Sequence, residues 1–183
     1  MRIGSVGYCA QQGLGILLKS FYDHGVVTDV FLVEHSSRES HWNWYPANTL
    51  RTRHRPFDKR SAQEFCREMD VMLFFETPFD WDLIPFCRQV GVKTVLMPMY
   101  ECTPKVLPYQ PDEFICPSLL DLDYFPVRST FIPVPVEVTW RQRETANVFV
   151  HNAGHGGLRG RNGTQELLQA LWYVRSPASF ILR

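Results

Sequence analysis

The sequence predicts an α/β fold: a Rossmann-like, mainly parallel sheet with helices on both faces. Three observations predict it. Short runs rich in Val, Ile and Phe alternate with helical patterns along the chain, the order expected of βαβ units. The run Asp70-Val71-Met72-Leu73-Phe74-Phe75 is apolar almost throughout, as a strand covered on both faces must be. Glycine-rich turns stand between a strand and a helix twice, around Gly13 and Gly15 and again over 154–163.

Each element follows in order. A strand over 2–8 leads into the turn Gln11-Gln12-Gly13-Leu14-Gly15 and a helix to about His24, stopped by Gly25, because glycine enters the left-handed region without steric cost. The second strand covers 27–33. Residues 35–58, with Trp42, Trp44, Pro46 and several arginines, show no sustained period and are expected to form a loop holding a short strand. Ser61-Ala62-Gln63-Glu64 has capping-box spacing and opens a helix to about Met69. The strand over 70–75 follows. Asp80 or Asp82 starts a helix that ends at Gly91, and 93–97 is a strand. Pro104, Pro108 and Pro111 mark a loop, 113–116 a short strand, 118–124 a short helix and 130–132 the last strand of the series. The polar stretch 139–144 reads as a linker. Beyond it lie a strand over 147–151, the glycine-rich loop, a helix from Thr164 to about Val174 and a strand over 179–182. The expected division is a Rossmann-like domain of residues 1–140 and a second unit, 141–183, holding one β-α-β repeat. Such a repeat is too small to bury its own faces, so it either joins the main sheet or begins a second domain.

Composition narrows the function. Of the 183 residues 45% are hydrophobic and 14% aromatic, enough for a sizeable core. Nineteen Lys and Arg balance nineteen Asp and Glu; zero net charge argues against a disordered chain and against a nucleic-acid binder relying on a basic field. No apolar run reaches the roughly 18 residues of a membrane span, and no secretory segment follows Met1-Arg2. Cys9, Cys66, Cys87, Cys102 and Cys116 are odd in number and lack a C-x-x-C spacing, so they read as buried small hydrophobes in a cytoplasmic protein, not as disulfides or zinc ligands.

Three loops are candidates for chemistry. Gly13 and Gly15 open a helix directly after the first strand. Such a turn lets backbone N–H groups and the helix dipole approach an anion or sugar hydroxyls, or it is a tight turn that needs positive φ. The full G-x-G-x-x-G is absent, Leu18 standing at the third glycine, and no Gly-Lys-Ser/Thr follows, which excludes a nucleotide P-loop. The second candidate runs from His151 to Thr164. Its glycines, Arg159 and Arg161 precede a helix start at Gly163-Thr164, a sensible diphosphate site if the guanidinium groups bind phosphate in bidentate fashion, or otherwise a solvated loop. The third is Glu76, directly after the apolar strand, with Glu101 in the same position after 93–97. Carboxylates at the C-terminal edge of an open α/β sheet can act as a general base toward a hydroxyl or bond a neighbouring loop. Asp80-Trp81-Asp82 and Asp121-Leu122-Asp123 have a metal-like spacing but fall at expected helix starts, where Asp caps. His41, Trp42, Trp44 and Tyr45 form either an aromatic acceptor platform or the packing of their loop.

These pieces, in this order, resemble a GT-B glycosyltransferase of the retaining, group-4-like kind. Three stretches carry the likeness: Met1 to Gly15, similar to the opening strand and glycine loop of the acceptor domain; Asp112-Glu113-Phe114-Ile115-Cys116-Pro117-Ser118 leading to Phe131-Ile132-Pro133-Val134-Pro135-Val136-Glu137, similar to that domain's final strands; and Asn147 to Leu171, similar to the first strand, basic loop and helix of the donor domain. Asn162 stands where the family has Lys. The resemblance implies transfer of a sugar from a nucleotide diphosphate sugar, a co-substrate and not a cofactor, to an acceptor hydroxyl of unknown identity. It implies an acceptor near Gly13, Gly15, Glu76 and Glu101. Arg159, Arg161, Gly163 and Thr164 would hold the leaving diphosphate so that no metal is needed. It also implies that the donor domain is cut short, so that the chain does not turn over alone and its exposed faces favour self-association. The rival reading is a non-catalytic Rossmann-like module that binds a nucleotide or a partner.

Overall fold

The computed structural model describes the chain apart from residues 54–55, 100–101, 120–121, 123–128, 136–144, 146–147, 152–162, 176 and 183. Two compact units are present, Met1–Glu137 and Val138–Arg183, and each is described by itself.

The first unit is built on seven strands: β1 (Ile3–Tyr8), β2 (Asp29–Val33), β3 (Leu50–Thr52), β4 (Val71–Phe75), β5 (Lys93–Met97), β6 (Glu113–Cys116) and β7 (Ser129–Phe131). They lie in the order β3-β2-β1-β4-β5-β6-β7, every pair parallel. The chain winds outward from β1 to β3 and then starts again on the other side with β4. The topological switch point therefore lies between β1 and β4, the place where open sheets of this kind leave a crevice.

Successive side chains of a strand point to opposite faces, and the core divides accordingly. Phe31, Val33, Met72, Phe74, Leu96 and Phe114 face a layer that includes Ala62, Phe65, Leu83 and Ile84, from helices α2 (Lys59–Arg67) and α3 (Leu83–Gln89). Val30, Leu32, Leu73, Phe75 and Met97 face the other layer, which holds Leu17, Leu18 and Phe21 of helix α1 (Gly13–Asp23). Helices thus cover both faces, as the continuous apolar strands require. Fully burying side chains such as Phe21, Phe31 and Phe74 contributes about 1.5–3 kcal/mol each.

Some boundaries differ from expectation for local reasons. β2 begins at Asp29 and not at Val27, because the N–H groups of Val26 and Val27 still bond to the Phe21 carbonyl at 3.0 and 3.1 Å in the turn that ends α1. Gly25 at φ 70° and Gly91 at φ 80° follow α1 and α3 as left-handed stops. Helix α2 is capped by Asp58 and not by Ser61: the Asp58 carboxylate accepts from the Ser61 N–H at 3.0 Å and from its hydroxyl at 2.6 Å, so the helix opens at Lys59. Helix α3 opens at Leu83, one residue after Asp82, whose side chain makes no capping bond. Four of the cysteines are buried, but Cys102 is exposed. Most of the expected helix over 118–124 lies outside the described residues.

In the second unit, β8 (Val148–His151) and β9 (Ser179–Leu182) pair in parallel around helix α4 (Thr164–Ala170) and a 3-10 turn, Leu171–Tyr173. Phe149 stacks on Phe180 at 5.2 Å. Its large apolar groups stay open to solvent: Trp172 is 83% exposed and Val150 61%. Among the described residues no helix is long and apolar enough to cross a membrane.

Candidate functional site

The C-terminal ends of β1 and β4 flank the switch point. After Tyr8 the chain turns through 9–12 into α1. Gln12 caps that helix, its Oε1 accepting from the Leu14 N–H at 3.2 Å, while its Nε2 is buried with no hydrogen-bond partner among the described residues. Neither Gly13 nor Gly15 has positive φ, so the turn does not need them for backbone reasons. Their reasons differ. A Cβ on Gly15 would stand 2.0 Å from the Ala10 carbonyl oxygen, whereas a Cβ on Gly13 would meet nothing among the described residues within 4 Å. Gly15 lets the helix start pack against its own loop. Gly13 leaves open space at the head of an eleven-residue helix.

Glu76 follows β4. Continuing the β1–β4 register of Ile3 with Val71 and Gly4 with Met72 sets it level with Tyr8. Among the described residues it is the one non-glycine with positive φ, at 56°, a conformation that costs about 1–3 kcal/mol and persists only where the surroundings impose it. Two bonds fix it here. Its N–H donates to the Met97 carbonyl at 2.8 Å, and its carbonyl accepts from the Thr103 hydroxyl at 2.7 Å. Glu101 lies outside the described residues.

Aromatic rings gather on the same rim. The Tyr8 ring lies 4.8 Å from His35 and 4.8 Å from Phe79, and Phe79 stacks on Phe57 at 5.9 Å. His35 Nδ1 accepts from the Ser37 N–H at 3.2 Å, which assigns its proton to Nε2. The sequence reading did not single out Tyr8, His35, Phe79 or Thr103. A place at or just after a strand end is the signal that could have marked Tyr8 and His35, and no local signal marks the other two.

The aromatic platform suggested for residues 41–45 is packing. Trp42 and Trp44 lie against the core and Tyr45 is 5% exposed. The guanidinium of Arg51 covers Trp42 at 4.8 Å and His41 stacks on Trp44 at 4.8 Å. Burial pushes the Tyr45 phenol well up. It also pushes up the Cys9 thiol, and Cys66 is raised by its hydrogen bond to Cys87 and then by burial; such thiols are poor nucleophiles. Asp80 and Asp82 both pair with Lys59, at 3.2 and 2.5 Å, so that carboxylate pair already holds a cation of the chain. Asp121 and Asp123 lie outside the described residues.

In the second unit Gly163 has φ 67° and Thr164 is 2% exposed, its hydroxyl hydrogen-bonded to His151 Nε2 at 2.8 Å. The sequence placed both at a diphosphate site, and the Thr164 hydroxyl is engaged within the unit itself. Glu166 Oε2 lies 3.7 Å from the place of a Gly163 Cβ, a carboxylate suited to a helix start but unfavourable beside phosphate. Arg159, Arg161 and His155 lie outside the described residues.

A cleft of about 560 Å³ lies elsewhere, lined by Arg2, Asp29, Glu64 and Glu68 among others. Arg2 precedes β1 and Asp29 begins β2, so the cleft sits at the N-terminal ends of the strands. Its charges are already matched, Arg2 pairing with Asp29 at 2.8 Å and Glu68 at 3.7 Å. The rim at the switch point is therefore the better candidate.

No protein-family model matches the chain, and no curated protein is similar to it in sequence. Solved structures are similar. An alpha-glucosyltransferase in complex with UDP matches all of this chain at TM-score 0.58 and 10% identity. The MurG of Acinetobacter baumannii matches all of it at TM-score 0.51 and 12% identity. The likeness is one of fold. What is shared is the Rossmann-like, mainly parallel α/β fold, and the chain spans 58% of the length of the first of these structures and 67% of the second.

Proposed function

We propose that the chain is the acceptor side, with the beginning of the donor side, of a glycosyltransferase that moves a sugar from a nucleotide diphosphate sugar to an acceptor hydroxyl. The observation that carries this reading is the switch-point rim, where the open Gly13 at the head of α1 and the left-handed Glu76 stand at the ends of neighbouring strands. The similar glucosyltransferase is described in complex with UDP, and in another structure with UDP-glucose and DNA, which supports a uridine nucleotide as the first donor to test.

In this reading the acceptor lies over Gly13 and Gly15. Glu76, or Glu101 after the next strand, removes the proton from the attacking hydroxyl, a role that asks for a carboxylate within hydrogen-bond reach. Arg159 and Arg161 face the negative charge that grows on the leaving diphosphate, joined by the Gly163 and Thr164 backbone at the start of α4. Fixed cationic donors stabilise that charge electrostatically, so this scheme requires neither a metal nor a cofactor.

Calorimetric titration of the chain with UDP tests it. Arg161→Ala is expected to weaken binding by about 1.5–3 kcal/mol, the worth of a hydrogen bond to a charged group. An unchanged Kd would remove Arg161 from the site. UDP binding by neither the chain nor any variant would favour a module that binds a partner instead.

A further inference from the structure

The loop after β5 is tied to the loop after β4 by one hydroxyl. Thr103 is 2% exposed. Its Oγ1 donates to the Glu76 carbonyl at 2.7 Å and accepts from the Met99 N–H at 2.9 Å. The Thr103 and Cys102 N–H groups return to the Met99 carbonyl at 2.8 and 2.9 Å, so Thr103 is bound to Met99 through both its backbone and its hydroxyl. The segment 99–103 also contains Glu101 in sequence, the second carboxylate assigned to the rim.

From this geometry we propose that Thr103 is a positioning residue whose hydroxyl ties Met99 to Glu76 and holds Glu76 in its left-handed backbone conformation. The inference rests on the reading of Glu76 as an acceptor-side carboxylate. Glycine takes positive φ freely; glutamate there must be held. The Glu76 N–H is held by Met97 from one side, and its carbonyl by Thr103 from the other. On the far side Pro78 is buried and confines Thr77 to extended backbone, so the whole peptide around Glu76 is set. A side chain on such a fixed peptide starts from one direction, which is what a general base needs to meet a hydroxyl.

The test is a double-mutant cycle read by thermal melting, with NMR of the full chain. Thr103→Val removes the hydroxyl at equal shape, Thr103→Ser keeps it, and Glu76→Gly removes the need for a latch. Thr103→Val is expected to lower the Tm with Glu76 present and to lower it much less in the Glu76→Gly background. Residues that share one interaction are non-additive in this way. Glu76 is expected to show the strong intraresidue HN–Hα NOE of a positive φ, weakened in Thr103→Val and restored in Thr103→Ser. Equal losses in both backgrounds, or an unchanged NOE in Thr103→Val, would overturn the latch. These readouts do not depend on nucleotide. Loss of UDP binding as a premise would leave them in place and remove only the assignment to an acceptor site. Their failure with UDP binding intact would overturn the latch alone.

Discussion

Asp112 shows how a single residue of this sheet answers to its surroundings. Its carboxylate stands at the start of β6. Burial pulls its pKa up, but bonds from the Thr94 hydroxyl and N–H, both at 2.8 Å, outweigh that and hold it below the ordinary carboxylate value. The Thr94 hydroxyl in turn accepts from the Asp112 N–H at 3.0 Å, so the two residues close a ring that joins β5 to β6. A carboxyl depressed in the folded state contributes stability that is present above its unfolded pKa and is lost as pH falls through the folded value. Acid unfolding below about pH 4 should therefore be shallower in Thr94→Val, which is already less stable at neutral pH, and shallower again in Asp112→Asn. Urea midpoints measured from pH 7 down to pH 3 check this, and parallel curves for the three proteins would show that Asp112 is not depressed by Thr94. The same scale limits what the sequence reveals. The spacing marked Glu76 as a rim residue because it follows an apolar strand, but its φ of 56° depends on a hydroxyl 27 residues away, and no local pattern encodes that bond.

At the scale of elements, local chemistry is legible where it acts within a few residues. The stops at Gly25 and Gly91 were readable because a left-handed residue after a helix favours glycine. The alternating and continuous apolar runs located β1, β4, β5 and β6, because burial on both faces leaves little choice of side chain. The start of α2 was less legible: Asp58 and Ser61 both have capping chemistry, and Asp58 wins by accepting twice from Ser61. The glycines of the first loop were read as one motif, yet they have separate causes. Gly15 is fixed by contact, since its Cβ would strike the backbone oxygen of Ala10 at 2.0 Å, and a carbonyl cannot rotate away as a side chain does. Gly15→Ala should destabilise the first unit by about 1–3 kcal/mol, the usual cost of overpacking. Gly13→Ala, with open space around it, should leave the urea midpoint nearly unchanged and act, if the acceptor lies there, on binding alone. Equal midpoints for both variants would remove the contact argument.

At the scale of the whole chain, the two units bury their apolar groups to different degrees. The first has two full layers around seven strands. The second has two strands, with Val148, Phe149, Val150, Trp172 and Leu182 substantially exposed, because one β-α-β repeat has too little interior for its own faces. Residues 139–144, at the start of the second unit, are mostly polar in sequence and carry Arg141 and Arg143, both trypsin sites. Limited trypsin digestion is therefore expected to cut there first and leave a resistant core that begins at Met1 and keeps its melting transition, while the second unit, with less buried area to resist local opening, is degraded. Intact masses of the surviving pieces read the outcome directly. Survival of the uncut chain would mean that the apolar faces of the second unit are covered, and a dilution series by light scattering would then separate the cause: protection lost on dilution means self-association, and protection that persists means that the second unit is stable within its own chain. The first outcome would make the proposed diphosphate residues 159–164 part of an assembly, so the UDP titration should be run at the concentration at which that assembly holds.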